Sequence, residues 1–204
     1  AIVNEKGEPI GEDLTLAFAV EQVLSRHEKG PVAINLSTSK SVEHVARQYG
    51  SEVVRTKIGE INVCEPMMRI GAVVGGESNG GVIIPAVHPC RDSYTGMAVV
   101  LELMAMAGKT VSEMRAAIPQ YFVVKEKIRI RGEQAPVILR ALRREYAGEK
   151  INLLDGVHID SGESWVHARR SNTEPVIRIT AEAPSEDEAR RLVADVRQKV
   201  DAIM

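Results

Sequence analysis

Apolar and polar positions change their spacing along this chain, and each change marks an element. Ile2-Val3 runs into Asn4-Glu5-Lys6-Gly7, a turn signal between two short runs that reads as a hairpin. Leu14, Ala17, Phe18 and Leu24 then fall on one face at helical spacing, and Gly30-Pro31 stops that helix. Pro31-Val32-Ala33-Ile34-Asn35-Leu36 reads as a buried strand. Ser39 or Ser41 can cap the next helix, which ends at Gly50. Glu52-Val53-Val54-Arg55 reads as a strand and residues 61–69 as a short helix. Ala72-Val73-Val74 is a strand that runs straight into a glycine-rich loop, and residues 93–106 form an apolar helix closed by Gly108.

Strands that alternate with helices predict an α/β layer with a largely parallel sheet. The pattern changes at Ile118-Pro119-Gln120, the expected boundary between a first domain, 1–118, and a second, 119–204. Residues 121–130 read as a long strand and 136–146 as a helix, followed by strands over 151–158, 164–168 and 176–183. In the final helix Ala189, Leu192, Val193, Val196, Val200 and Ile203 make one narrow stripe with charges opposite. The second domain is therefore expected to be a small α+β unit, an antiparallel sheet covered by two helices.

Composition narrows the function. With 44% hydrophobic and 26% charged residues over 204 positions, the chain has the balance of a soluble globular protein and needs no covalent staple. A net charge of −2 opposes general nucleic-acid or membrane-surface binding, yet allows a local basic pocket. Cys64 and Cys90 form no CxxC, which fits a reducing cytoplasm and argues against a metal or disulfide framework. No apolar stretch approaches the roughly 18 residues of a membrane span, and the opening segment is no signal peptide. The chain opens on Ala1, not Met, and its first apolar residues read as the end of a strand. A piece of a longer protein accounts for both.

Three segments can carry chemistry. Gly75-Gly76-Glu77-Ser78-Asn79-Gly80-Gly81 follows a strand, and its glycines let backbone approach a ligand closely. Glu77 and Asn79 would project from it with groups suited to the paired hydroxyls of a sugar ring. It is neither a Walker loop nor a GxGxxG fingerprint, and it reads equally as a plain hairpin turn. Arg169-Arg170-Ser171-Asn172-Thr173-Glu174-Pro175 lies between two strands. Its guanidinium forks, hydroxyls and successive amides suit a phosphate, with Arg178 on the next strand as a second charge. The competing reading is a solvated turn. Arg55-Thr56-Lys57-Ile58-Gly59-Glu60 is a strand-end loop with two cations, read locally as solvated. His27, His44, His88, His158 and His167 show no metal-ligand spacing; His27 and His44 are expected on helices. The methionines read as core.

These segments, in this order, resemble the α-D-phosphohexomutase superfamily of phosphoglucomutases, phosphomannomutases and phosphoglucosamine mutases. GGESNGG is similar to the family's sugar-recognition loop, RRSNTEPVIRI to its phosphate-binding loop and RTKIGE to its third-domain Thr-x-x-Gly loop. The family has four domains, and the match implies that this chain carries the third and fourth. The phosphoserine motif like TASHNP and the magnesium loop like DxDxDR do not occur here, so no catalytic residue and no metal ligand is expected in the chain. The resemblance implies a mutase acting on hexose 1- and 6-phosphates through a phosphoserine and a hexose 1,6-bisphosphate. Magnesium would be held by a missing N-terminal half, which is then this chain's partner. By the same resemblance Arg169, Ser171, Asn172, Thr173 and Arg178 would grip the non-reacting phosphate. Glu77 and Asn79 would bind sugar hydroxyls, and Thr56, Lys57 and Gly59 would form an accessory loop. Relatives ending this loop in SGH have His where this chain has Gly81, and the GG ending is closer to the phosphoglucosamine or archaeal-type branch. The alternative of another class is a phosphosugar-binding module without catalysis.

Overall fold

The computed structural model describes residues 1–26, 29–131 and 133–204, so His27 lies outside the described residues. The chain divides into two compact units, Ala1–Pro119 and Gln120–Met204.

Helix α1 (Glu12–Arg26) opens the first unit and buries Leu14, Leu16 to Val20, Val23 and Leu24. That is most of its circumference, so it behaves as a central helix and not as a surface helix with one apolar stripe. It packs against α2 (Lys40–Gln48), α4 (Ser93–Ala107) and the sheet. The sheet holds β1 (Val32–Asn35), β2 (Val53–Thr56), β3 (Val74–Gly76) and β4 (Val82–Ile83) in the order β2-β1-β3-β4. β1 runs parallel to β2 and β3, while β4 returns antiparallel to β3.

Side chains alternate across β1 as a pleated strand requires. Val32 and Ile34 join the core formed with α1 and α2, whereas Ala33 faces Val63, Cys64 and Met67 of α3 (Glu60–Ile70). The connection from β1 to β2 therefore lies over one face and that from β2 to β3 over the other. β1 and β3 flank the point where the winding reverses, which in open α/β sheets is where a crevice forms outside the carboxyl ends of the strands.

The mixed, largely parallel sheet agrees with the sequence pattern, but several details differ. Ser39, not Ser41, caps α2, its Oγ accepting from the Ser41 amide at 3.0 Å. The strand expected over 72–74 starts at Val74 and runs on into the glycines. Strand β4 is two residues long, too short to leave a periodic signal. Helix α5 (Val111–Ala116) is also short, at six residues, and starts with a Thr110–Glu113 capping box.

The second unit contains β5 (Phe122–Arg129), α6 (Ala135–Glu145), β6 (Ile151–Asn152), β7 (Val157–Asp160), β8 (Trp165–Arg170), β9 (Val176–Ala183) and α7 (Glu186–Ile203). Its sheet has the order β5-β9-β8-β7-β6, antiparallel throughout. The single strand expected over 151–158 is two strands, which fold back so that Ile151 pairs with Ile159. Ile138 and Leu142 of α6 and Val193, Val196 and Val200 of α7 close the core against Ile128, Ile177 and Ile179. Among the described residues no helix is long and apolar enough to cross a membrane.

Phe18 is fully buried in the first core, whereas Leu101 of α4 is 62% exposed. Phe18→Ala is expected to cost about 3–5 kcal/mol through lost transfer energy and a residual cavity. Leu101→Ala should stay within about 0.5 kcal/mol. Urea denaturation followed by circular dichroism checks both.

Candidate functional site

Loops leave the carboxyl ends of β1, β2 and β3 side by side at the reversal point. After β3 the chain turns over Glu77 to Gly81 and returns as β4. The Glu77 amide donates to Gly81 O at 3.1 Å, and the Gly80 amide to Glu77 O at 3.1 Å. The Gly81 amide donates to Asn79 Oδ1 at 3.1 Å. The glycine-rich segment is thus a hairpin loop, and its tightness explains its composition. A Cβ on Gly76 would lie 2.0 Å from the Gly81 carbonyl oxygen, a contact no side chain can make.

Asn79 is exposed on this loop, but Glu77 turns inward and is only 5% exposed. Its Oε1 accepts from the Gly59 amide at 2.9 Å and from Asn35 Nδ2 at 3.4 Å. Its Oε2 lies 3.2 Å from Arg91 Nη1. This corrects the expectation that Glu77 projects from the loop beside Asn79. A carboxylate removed from water needs a counter-charge and donors, and here each comes from a different loop. Glu77 therefore ties the β1, β2 and β3 loop ends to the segment that leads into α4.

Arg91 extends the network. Its amide donates to Glu60 Oε1 at 2.7 Å and its Nη2 to Glu60 Oε2 at 3.0 Å. The Arg91 hydrogen bond holds the Glu60 carboxyl below the usual carboxylate range, and Glu60 in turn raises the guanidinium. The arginine stem crosses the face of Gly81, where an added Cβ would meet Arg91 Cδ at 2.4 Å. Space that a larger residue would need at Gly81 is filled by Arg91. Neither Arg91 nor Asn35 stands out in the sequence, because neither lies in a motif and both act through tertiary contact.

The accessory loop is mostly committed internally. Arg55 is no ligand donor: its Nε pairs with Glu43 Oε1 at 2.7 Å, and its Nη1 donates to the Asn35, Leu36 and Thr38 carbonyls. Thr56 is buried and donates to Lys57 O at 3.0 Å, while the Gly59 amide is spent on Glu77. Lys57 is exposed.

In the second unit the hairpin between β8 and β9 forms a pocket of about 210 Å³ lined by Arg170, Ser171, Asn172, Thr173 and their neighbours. Ser171 is buried, and its Oγ accepts from Arg178 Nε at 3.2 Å. The amides of Asn172 and Glu174 have no protein partner among the described residues. Strand register sets the charges. Arg178 of β9 stands opposite Arg169 of β8 and Lys127 of β5, so three cations form one row on one face. Like charges at that spacing repel, and carboxylates offset them. Glu174 pairs with Lys127 at 3.1 Å and with Arg178, and the Lys127 bond lowers its pKa. Asp155 lies 3.9 Å from Arg169. Arg170 lines the pocket while Arg169 and Arg178 stand outside its lining, a distinction that alternation along β8 produces and that the motif alone does not reveal.

The histidines fall outside both loops. His44 contacts Gln48 on α2, His88 is exposed, and buried His158 stacks on Trp165 with ring centroids 5.3 Å apart.

Residues 11–122 match the phosphoglucomutase/phosphomannomutase alpha/beta/alpha domain III, and residues 121–199 match the phosphoglucomutase/phosphomannomutase C-terminal domain. A probable phosphoglucosamine mutase of Methanopyrus kandleri is 40% identical over 192 residues, covering 93% of this chain and 42% of that protein. A phosphoglucomutase/phosphomannomutase of Thermococcus kodakarensis is 34% identical over 189 residues, 92% of this chain and 41% of the relative. The fold is similar to the X-ray structure of a phosphoglucomutase/phosphomannomutase family protein from Burkholderia thailandensis. The TM-score is 0.84 at 23% identity, over 98% of this chain and 43% of that one. It is also similar to Aspergillus fumigatus N-acetylphosphoglucosamine mutase in complex with GlcNAc-6P and magnesium, with a TM-score of 0.72 at 17% identity over 95% and 44% of the two chains. The chain thus spans less than half the length of these relatives.

Two outcomes follow from the Glu77 network. Glu77→Ala leaves the Gly59 amide without its acceptor and Arg91 with Glu60 alone, and should destabilise by about 1–3 kcal/mol, whereas Glu77→Gln keeps an acceptor oxygen and should cost less. Glu60 contributes a depressed carboxylate, whose stabilisation is present above its unfolded pKa and lost as pH falls through the folded one. Glu60→Gln should therefore lower Tm modestly at pH 7, and the deficit should fade below about pH 4. Thermal melts across that range measure it.

Proposed function

The chain belongs to the phosphoglucomutase/phosphomannomutase family, and we propose that it is the phosphosugar-holding half of a phosphohexomutase. The observation that carries this reading is the cationic row of Lys127, Arg178 and Arg169 beside a hairpin loop in which the Asn172 and Glu174 amides have no protein partner among the described residues. Arg169, Ser171, Asn172, Thr173 and Arg178 would hold the phosphate that is not being transferred. Guanidinium forks and amides suit its oxygens, and Arg178 already fixes the Ser171 hydroxyl. Asn79 would meet sugar hydroxyls from the first unit, with Lys57 beside the same strand ends. Glu77, Thr56 and Gly59 would act by holding that loop in place, since their polar groups are committed within it.

Phosphoryl transfer depends on position and charge neutralisation more than on covalent chemistry from the protein. This chain supplies the first: a fixed grip on one end of the ligand while the other end reacts. The ligand would be a hexose monophosphate, and a hexose 1,6-bisphosphate midway. Relatives named as phosphoglucosamine mutases make glucosamine phosphate the first sugar to try. The donor phosphoryl group and magnesium would come from an N-terminal half of the same protein, because the chain contains neither motif for them.

The test is an NMR titration of the purified chain with glucosamine 6-phosphate. The expected result is saturable, millimolar binding with shifts centred on the amides of residues 171–174, reversed by inorganic phosphate. Arg169→Lys should weaken it about tenfold or more, the equivalent of one charged hydrogen bond of roughly 1.5–3 kcal/mol. The same chain should not isomerise glucose 1-phosphate, even with glucose 1,6-bisphosphate and magnesium. Absence of any shift at saturating ligand, or turnover by this chain alone, would overturn the reading.

A further inference from the structure

A side-chain cluster below the sugar-facing loops has no part in that reading. Glu60 and Cys64 are four residues apart on α3, which places them on one face of the helix. Cys90 lies in the segment between β4 and α4, and the next residue, Arg91, is bonded to Glu60 through both its amide and its guanidinium. That bond draws Cys90 onto the helix. A Glu60 carboxylate oxygen and the Cys64 and Cys90 sulfurs lie within 4.8 Å of one another. Cys64 is buried against the sheet, Cys90 is exposed, and no disulfide joins them.

We propose that Glu60, Cys64 and Cys90 form a binding site for a thiophilic divalent cation of the zinc class. Two sulfurs and one carboxylate oxygen make a borderline-soft donor set, suited to Zn²⁺, Co²⁺ or Cd²⁺ and ill suited to Mg²⁺. Tetrahedral coordination with metal–sulfur bonds of about 2.3 Å sets the sulfurs about 3.8 Å apart. The observed spacing reaches this with an adjustment of about an ångström, and the exposed Cys90 segment can supply it. The fourth position would be left to solvent or a further ligand.

Without a cation the cluster is poorly matched. Burial raises the Cys64 thiol, and Cys90 and Glu60 add to the effect, because three potential anions share one small volume. A bound dication removes that conflict. Each sulfur gives its proton to solvent as its bond to the metal forms, so binding releases up to two protons. A cation on one Glu60 oxygen leaves the other to Arg91, so the bond that draws Cys90 onto the helix can persist, though weakened. Ligand spacing along the sequence could not reveal this cluster, since its two thiols come from a helix and a distant loop.

The experiment is a Co²⁺ titration of the reduced, metal-free chain, followed by absorption. Expected are one-to-one binding, a sulfur-to-cobalt charge-transfer band in the near ultraviolet, tetrahedral bands in the visible, and loss of all of them on adding Zn²⁺. Excess Mg²⁺ should not displace the cobalt. Cys90→Ser changes an exposed side chain, so it should fold normally. It should weaken Co²⁺ binding by more than the roughly 10–100-fold typical of outer-shell changes, with most of the charge-transfer intensity gone. Glu60→Gln should weaken binding while keeping the sulfur band. A titration without a charge-transfer band, or a band that survives unchanged in Cys90→Ser, overturns the proposal.

Discussion

Burying the Glu77 carboxylate is the constraint on which the first unit's functional edge depends. A charge at that depth is tolerated only if donors meet it, and the donors come from Gly59, Asn35 and Arg91. Asn35 and Gly59 lie at the carboxyl ends of parallel strands, and Arg91 lies in the segment that leads into α4. Satisfying one side chain therefore fixes the relative positions of the loops around it. Pre-organisation of this kind has a thermodynamic use: a loop already held in place loses little freedom when a ligand arrives. It also explains why the glycines cluster. A loop that turns an inward carboxylate toward its neighbours must bring β3 and β4 together with no side chain between them, as at Gly76.

The second unit solves a different problem with the sheet itself. Antiparallel register places Lys127, Arg178 and Arg169 in one row, and the repulsion between them is offset by Glu174 and Asp155. Glu174 belongs to the same hairpin loop as the amides expected to meet a phosphate. Its carboxylate neutralises two of the cations, Lys127 and Arg178. The basic site is thus compatible with the chain's slight net negative charge, because the cations are concentrated by register and not by composition.

Much of this was legible in the sequence, for a physical reason. The central helix, the parallel strands and the final amphipathic helix carry long periodic patterns, and both loops announce themselves through local composition. What the pattern missed is either short or long-range. β4 and α5 are too brief to show a period, and the split of residues 151–159 into two strands depends on a turn inside an apolar run. Glu77 lay in a recognised motif, yet the direction of its side chain is set by Arg91 and Gly59. Arg55 looked like a free cation but serves three backbone carbonyls at the end of β1. The Cys64–Cys90 pairing depends entirely on how Arg91 docks on α3.

Arg91 is therefore the residue through which distinct parts of the first unit communicate. Its two guanidinium nitrogens face two carboxylates, Glu60 on α3 and Glu77 at the β3–β4 hairpin, while its stem fills the space beside Gly81. An arginine can do this where a lysine cannot, because its planar fork engages two acceptors in fixed directions at once. Any event that competes for Glu60 changes how that fork is shared, and the change is delivered to Glu77 without a moving helix or a hinge. Coupling of this sort needs only a shared ligand with two partners. The energy it can transmit is bounded by the difference between one ion pair and two at a half-exposed arginine, so it would tune the hairpin's order and not switch it.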